Sequence, residues 1–194
     1  VPPDLRSHKG WVGHLLEQCL GATAGSRPVP DFEELGIEMK SLPVSVVGKP
    51  LESTYVSLVP LTDLHRMTWE TSHLRRKLSQ VLWVPVEGMR DKALAERRIG
   101  RAFLWRPDKE EWRLLREDWE ELTDVIRLGE VDMLDARMGQ VLQIRPKGMN
   151  SAQRVMGIDK DGRVGEVSPR GFYLRAGFTE RIIHRHLVAP VKST

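Results

Sequence analysis

The chain has 194 residues, 40% hydrophobic and 29% charged, enough to bury roughly 70% of its unfolded surface around a core without help from a metal or a disulfide. Its one cysteine, Cys19, excludes a disulfide framework and a cysteine zinc site. The longest apolar run, Val81 to Val86, is far too short for a membrane span, and no secretory signal pattern appears, so a soluble cytoplasmic protein is expected. The net charge of +3 is unevenly spread: residues 145–194 hold ten basic and four acidic side chains, a balance of +6, which leaves −3 for residues 1–144. Such asymmetry suits a polyanion-binding face, although charge alone fits anionic lipid or an acidic protein nearly as well.

Trp11, Val12, Leu15, Leu16 and Cys19 form one stripe of an amphipathic helix that Gly21 would end. Cys19 is expected to pack, and Glu17, on the opposite face, to be solvated. After a loop through Pro30, residues 35–42 alternate as a half-buried strand, with Ile37 and Met39 on one face and Glu38 and Lys40 on the other. A Gly48-Lys-Pro turn and a second strand near Glu52 to Val59 suggest a β-hairpin. A short basic helix over 70–80 carries His73, Arg75, Arg76 and Lys77, followed by a buried strand at Val81 to Val86 and another near Phe103 to Trp105.

Pro107-Asp108 opens the clearest helix, with Trp112, Leu115, Trp119, Leu122 and Ile126 as its core stripe. Its acidic residues, Asp108, Glu110, Glu111, Glu117, Asp118, Glu120, Glu121 and Asp124, read as a solvated face. Gln140 to Arg145 alternates as a strand and runs into a basic turn, Arg145-Pro-Lys-Gly148. Asp159 to Arg163 is a hairpin turn by its Asp-Gly pair. Phe172 to Arg175 is a short strand, and Thr179 is expected to cap a last helix bearing Ile182, Ile183 and Leu187. The fold class is α/β, a mixed sheet with flanking helices.

Asp31, Glu38 and Lys40 carry the chemistry. Glu38 and Lys40 share a strand face with Cα atoms roughly 6.5 Å apart, and Asp31 enters from the preceding turn. Two carboxylates are the minimum that Mg²⁺ needs when waters and substrate phosphates complete its shell, and a lysine beside them can orient an attacking water. An acid-x-lysine pair on an exposed strand is equally readable as a plain ion pair of little energetic weight, and these three residues leave both readings open. No Walker A phosphate loop occurs, so any ATP dependence belongs to a partner.

Six segments, in order and spread over essentially the whole chain, resemble the MutH family: Lys9-Gly-Trp-Val-Gly-His-Leu-Leu-Glu17, Gly21-Ala-Thr-Ala-Gly-Ser26, Trp69-Glu-Thr-Ser-His73, Glu117-Asp-Trp-Glu-Glu-Leu122, Gln143-Ile-Arg-Pro-Lys-Gly148 and Pro169-Arg-Gly-Phe-Tyr173. MutH proteins are the strand-nicking endonucleases of methyl-directed DNA mismatch repair. The resemblance implies a restriction-endonuclease-like core with two lobes around a DNA cleft, a catalytic lobe over 1–69 and a recognition lobe over 70–194. It implies catalytic roles for Glu17, Asp31, Glu38, Lys40 and Lys77, with Asp31, Glu38 and Glu17 holding one or two Mg²⁺ ions. It thereby overrides the solvated reading of Glu17.

The resemblance also implies DNA contacts by Lys9, Glu52, Tyr55, Arg145, Lys147, Gly148 and Tyr173. Arg145 would read a base, Lys147 would meet backbone, and Tyr173 would sense an adenine methyl group. Tyr55 stands where the better-known members have phenylalanine, and the loop Asp63 to Met67 also departs from them. The implied substrate is double-stranded DNA with a hemimethylated or unmethylated GATC site, nicked on an unmethylated strand by a monomer. MutL is the implied activator and MutS acts indirectly. A restriction endonuclease of the same core that cuts both strands of GATC is the nearest alternative.

Overall fold

A computed structural model describes residues 10–25, 27, 29–89, 91–147, 153–158 and 161–188. In chain order the elements are α1 (Trp11–Leu20), β1 (Glu38–Val44), β2 (Thr54–Leu58), α2 (His73–Leu78), β3 (Val81–Glu87), β4 (Phe103–Trp105), α3 (Lys109–Arg127), β5 (Leu142–Pro146), β6 (Val155–Ile158), β7 (Val164–Val167), β8 (Arg170–Leu174) and α4 (Ala176–Ile183). The chain divides into two compact units that are not successive stretches of sequence. One comprises 1–53, 77–106 and 176–194, and the other 54–76 and 107–175, so the expected cut near Trp69 falls inside the second. No helix among the described residues is long and apolar enough to cross a membrane.

The first unit is built on a mixed sheet of order β1-β3-β4, with β1 and β3 parallel and β3 and β4 antiparallel. β1 and β2 are therefore not a hairpin. Parallel neighbours need a long crossover, here residues 45–80, and across the Gly48 turn only an isolated Val44 to Pro50 bridge forms. Leu16 of α1 packs with Met39, Val84 and Val86, and Val12, Phe32 and Leu82 join them. Trp105 lies 6.2 Å from Trp83 and 6.1 Å from Phe178, ring centre to ring centre.

The apolar stripe expected of α1 is only partly used. Leu16 is buried, whereas Leu15 and Leu20 are 37% and 50% exposed, and Cys19 is exposed rather than packed. The reason is geometric: a ten-residue helix lying on one sheet buries only the residues that face it. Thr179 is also not a cap. It sits inside α4, 1% exposed, and its hydroxyl donates to the Ala176 carbonyl one turn back, a common way for a helical threonine to satisfy its oxygen when buried.

In the second unit β8 runs antiparallel between β2 and β5, while β6 and β7 pair across the Asp-Gly turn whose Asp159 and Lys160 lie outside the described residues. α3 is capped by a reciprocal box: the Asp108 carboxylate accepts from the Glu111 amide, and the Glu111 carboxylate accepts from the Asp108 amide, both at 2.9 Å. Leu115, Trp119, Leu122 and Ile126 are buried as their spacing predicts. The other face is not uniformly solvated, because Glu111 and Asp118 are 4% and 1% exposed. Asp118 accepts backbone N–H bonds from Gln140, Val141 and Leu142 at 2.6–2.9 Å and so ties the start of β5 to the helix.

Candidate active site

The first unit gathers four charged groups at the leading end of β1. Asp31 is placed by its own loop: its carbonyl accepts from the Thr23 and Ala24 amides at 3.0 and 3.3 Å, and Phe32 and Ile37 exchange both backbone bonds just after it. That closure needs a left-handed residue after the single turn Glu33–Leu35, and Gly36 supplies it at φ 63. The Asp31 carboxylate then accepts from the Met39 amide at 2.8 Å, which lays it beside the first residues of β1.

Glu38 begins β1 and is 1% exposed. It does not occupy an open strand face, as simple alternation suggests, because two lysines close over it. Lys40, two residues on, donates to Glu38 Oε1 at 2.5 Å, and Lys77, in the last turn of α2, donates to the same oxygen at 2.8 Å. Lys77 comes within reach because β3 follows α2 at once: the Gln80 carbonyl accepts from the Glu38 amide at 3.0 Å, and Val81 pairs with Glu38 in register. The plain exposed ion pair is thus replaced by a buried carboxylate between two ammonium groups, a costly arrangement to leave incomplete.

It is incomplete on one side. Among the described residues, Glu38 Oε2 is buried and accepts no hydrogen bond. The Asp31 carboxyl is held above the ordinary range by burial first and by the Glu38 carboxylate second, which together outweigh the Met39 amide, Lys40 and Lys77. A buried acceptor without a donor and a carboxylate pressed by a like charge are both relieved by a small hard cation. The donor set of Asp31 and Glu38 therefore fits Mg²⁺.

Glu17 is not gathered with this pair. It is half-buried on α1, with its carboxylate 3.7 Å from His14 Nδ1, and among the described residues no three His, Cys, Asp or Glu side chains stand close enough to hold a metal.

The second unit carries four of the residues expected to meet DNA, Tyr55, Arg145, Lys147 and Tyr173, on one face of the β2-β8-β5 sheet. Tyr55 and Tyr173 are opposite one another in register, with ring centres 5.4 Å apart and edge to face. The Arg145 guanidinium lies 5.8 Å from the centre of the Tyr173 ring, and the Lys147 ammonium 4.2 Å from that of Tyr55, both within cation–π range. The Lys147 amide donates to the Pro169 carbonyl at 2.7 Å, which fixes the strand end that follows Arg145. Glu52 is exposed and belongs to the first unit. Lys9 and Gly148 lie outside the described residues.

Two residues of the second unit escaped sequence reasoning. Asp118, read as surface, aligns β5; its spacing in the series 111, 115, 118, 122 put it on the same side as Leu115 and Leu122, a signal present in the sequence. Gly171 sits inside β8, where glycine weakens a strand unless something approaches closely.

The chain matches the family described as the DNA mismatch repair enzyme MutH over residues 20–118. It is 55% identical over 186 residues to the DNA mismatch repair protein MutH of Vibrio cholerae serotype O1 (strain O395), covering 96% of this chain and 84% of that one. The protein of the same name from Haemophilus influenzae (strain PittGG) is 53% identical over 187 residues, covering 96% and 84%, and that from Shewanella amazonensis 53% over 185, covering 95% and 83%. Identity at this level, along with a mixed α/β fold and a carboxylate–lysine cluster at the strand edge, means that the chain belongs to the MutH family of DNA mismatch repair endonucleases.

Proposed function

We propose that the protein is a cytoplasmic, Mg²⁺-dependent endonuclease that nicks the unmethylated strand of a hemimethylated GATC site, acting as a monomer activated by MutL, which MutS recruits. The observation that carries the chemistry is the unsatisfied, buried Glu38 Oε2 beside a carboxyl whose ionisation is resisted, with two ammonium groups on the opposite oxygen. Bound there, Mg²⁺ would lower the pKa of a water and offset charge developing on the phosphate. Asp31 and Glu38 are the residues that would hold it, and Glu17 would reach the site through water.

Lys40 shares the strand face with Glu38, and its ammonium can donate to the attacking water and fix its line of approach. Lys77 can donate to a non-bridging phosphate oxygen and stabilise the charge that grows there. The water oxygen bonds to phosphorus as the bond to the 3′ oxygen breaks, leaving a 5′-phosphate and a 3′-hydroxyl. Recognition is assigned to the aromatic face. Arg145 can bond both acceptors of guanine in the major groove, Lys147, Lys9 and Gly148 engage backbone, which positions without specifying, and Glu52 accepts from a base edge. Tyr173 meets the adenine methyl group, and Tyr55 stacks beside it.

The test is a strand-resolved nicking assay on a duplex with one hemimethylated GATC site and Mg²⁺, with and without MutL and ATP. Nicks confined to the unmethylated strand and accelerated by MutL are expected. Equal cutting of both strands without MutL would replace this reading with a restriction endonuclease.

A further inference from the structure

Gly171 occupies the middle of the recognition face. Tyr173 lies two residues further along β8 and so projects from the same side, Arg145 stands opposite Gly171 on β5, and Tyr55 stands opposite Tyr173 on β2. The ladder on the β2 side shifts between Tyr55 and Ser57, a local irregularity of the kind that re-aims side chains. Both tyrosine rings lean into the space above Gly171. A Cβ there would stand 3.0 Å from Tyr55 Cε2 and 3.2 Å from Tyr173 Cε2, closer than carbon atoms ordinarily approach.

The backbone itself does not require glycine, since Gly171 is not among the positive-φ residues. What the position requires is the absence of a side chain under two rings. We propose that Gly171 is a specificity-determining residue: its missing Cβ sets the depth of the Tyr55 and Tyr173 rings, and so the clearance that this face offers to the edge of the adenine in GATC. A methyl group there would raise both rings by a few tenths of an ångström toward the DNA. Tyr55 is then a positioning residue for Tyr173, and the pair with the arginine and lysine that flank it moves as one layer. This rests on the reading of the face as the GATC contact.

The experiment is a double-mutant cycle on unmethylated GATC duplex, with nicking rates for the parent, Gly171→Ala, Tyr55→Ala and the combination, alongside thermal melting and binding to a duplex without GATC. Gly171→Ala is expected to lower nicking about tenfold, since displacement by a fraction of an ångström erodes alignment, with melting temperature and non-cognate binding unchanged. In the Tyr55→Ala background the same change should cost only about twofold to threefold, because one ring that the methyl group meets is gone.

Parental nicking by Gly171→Ala, or an equal penalty in both backgrounds, would overturn the inference, as would a parallel loss of melting temperature and all DNA binding, which marks a purely structural glycine. Failure of the underlying reading looks different. In that case Tyr55→Ala and Tyr173→Ser also leave GATC nicking unchanged, whereas failure of the inference alone leaves the tyrosine variants impaired and Gly171→Ala intact.

Discussion

The cluster around Glu38 and the face around Gly171 hold charge in contrasting ways. At Glu38 two lysines, from the strand and a helix end, pair directly with one buried carboxylate oxygen and leave the other over, while Asp31 is held nearby from its loop by the Met39 amide. Around Gly171 the Arg145 guanidinium and the Lys147 ammonium lie over tyrosine rings. A guanidinium can stack on an aromatic ring and its planar fork matches a base edge, while an ammonium paired with a buried carboxylate is held against it. On the proposed function, chemistry goes with charge held in buried ion pairs and recognition with charge laid on an aromatic layer.

The sharpest way to break that contrast is substitution at Glu38 or Lys40. Glu38→Ala and Lys40→Ala should each lower nicking by about 10²–10³-fold or more, the usual scale for removing a group that stabilises developing charge, while binding to cognate duplex persists. Retained nicking in a binding assay run on the same samples would reduce the cluster to an ion pair.

A smaller effect is expected where the second unit ties β5 to α3. Asp118→Ala leaves the buried Val141 and Leu142 amides without their acceptor, which at about 1–3 kcal/mol per unsatisfied group should cost about 2 kcal/mol or more of stability. Chemical denaturation reads this directly, and a loss below about 0.5 kcal/mol, the scale of an ordinary surface change, would show that Asp118 is not the anchor.

The smallest effect concerns pH. The Asp31 carboxyl titrates above its ordinary value of 3.8 in the folded protein, so the folded state resists the ionisation that the unfolded chain accepts. In the absence of divalent ions, stability is therefore favoured below that value and is lost as pH rises through the folded pKa. Asp31→Asn, which can still accept from the Met39 amide, should melt above the parent at neutral pH, and the two should converge as pH falls below 3.8. Melting curves across that range settle the sign, and a variant that melts lower at neutral pH would show that Asp31 is favourably ionised.

Much of this was legible in the sequence where one rule dominated. The stripe of α3, its Asp108 start, the strand at Val81 and the acid-x-lysine pair each follow from spacing or local chemistry, and the ordered segments from Lys9 to Tyr173 pointed to the family. Pairing partners were not legible: β1 finds β3 rather than β2 because a crossover of some three dozen residues intervenes, and no local signal encodes which strand lies alongside. Burial of Glu38 was hidden for the same reason, since Lys77 reaches it from 39 residues away. Cys19 and Thr179 went astray because helical periodicity ranks faces without saying how wide a face the neighbouring sheet covers.

The most direct measurement is the change in melting temperature on adding Mg²⁺ to the parent and to Asp31→Asn in the absence of DNA. If the space between Asp31 and Glu38 is a divalent-cation site, Mg²⁺ raises the melting temperature of the parent and leaves that of Asp31→Asn nearly unmoved. An equal rise in both proteins, or none in the parent at millimolar Mg²⁺, would contradict the account of this site.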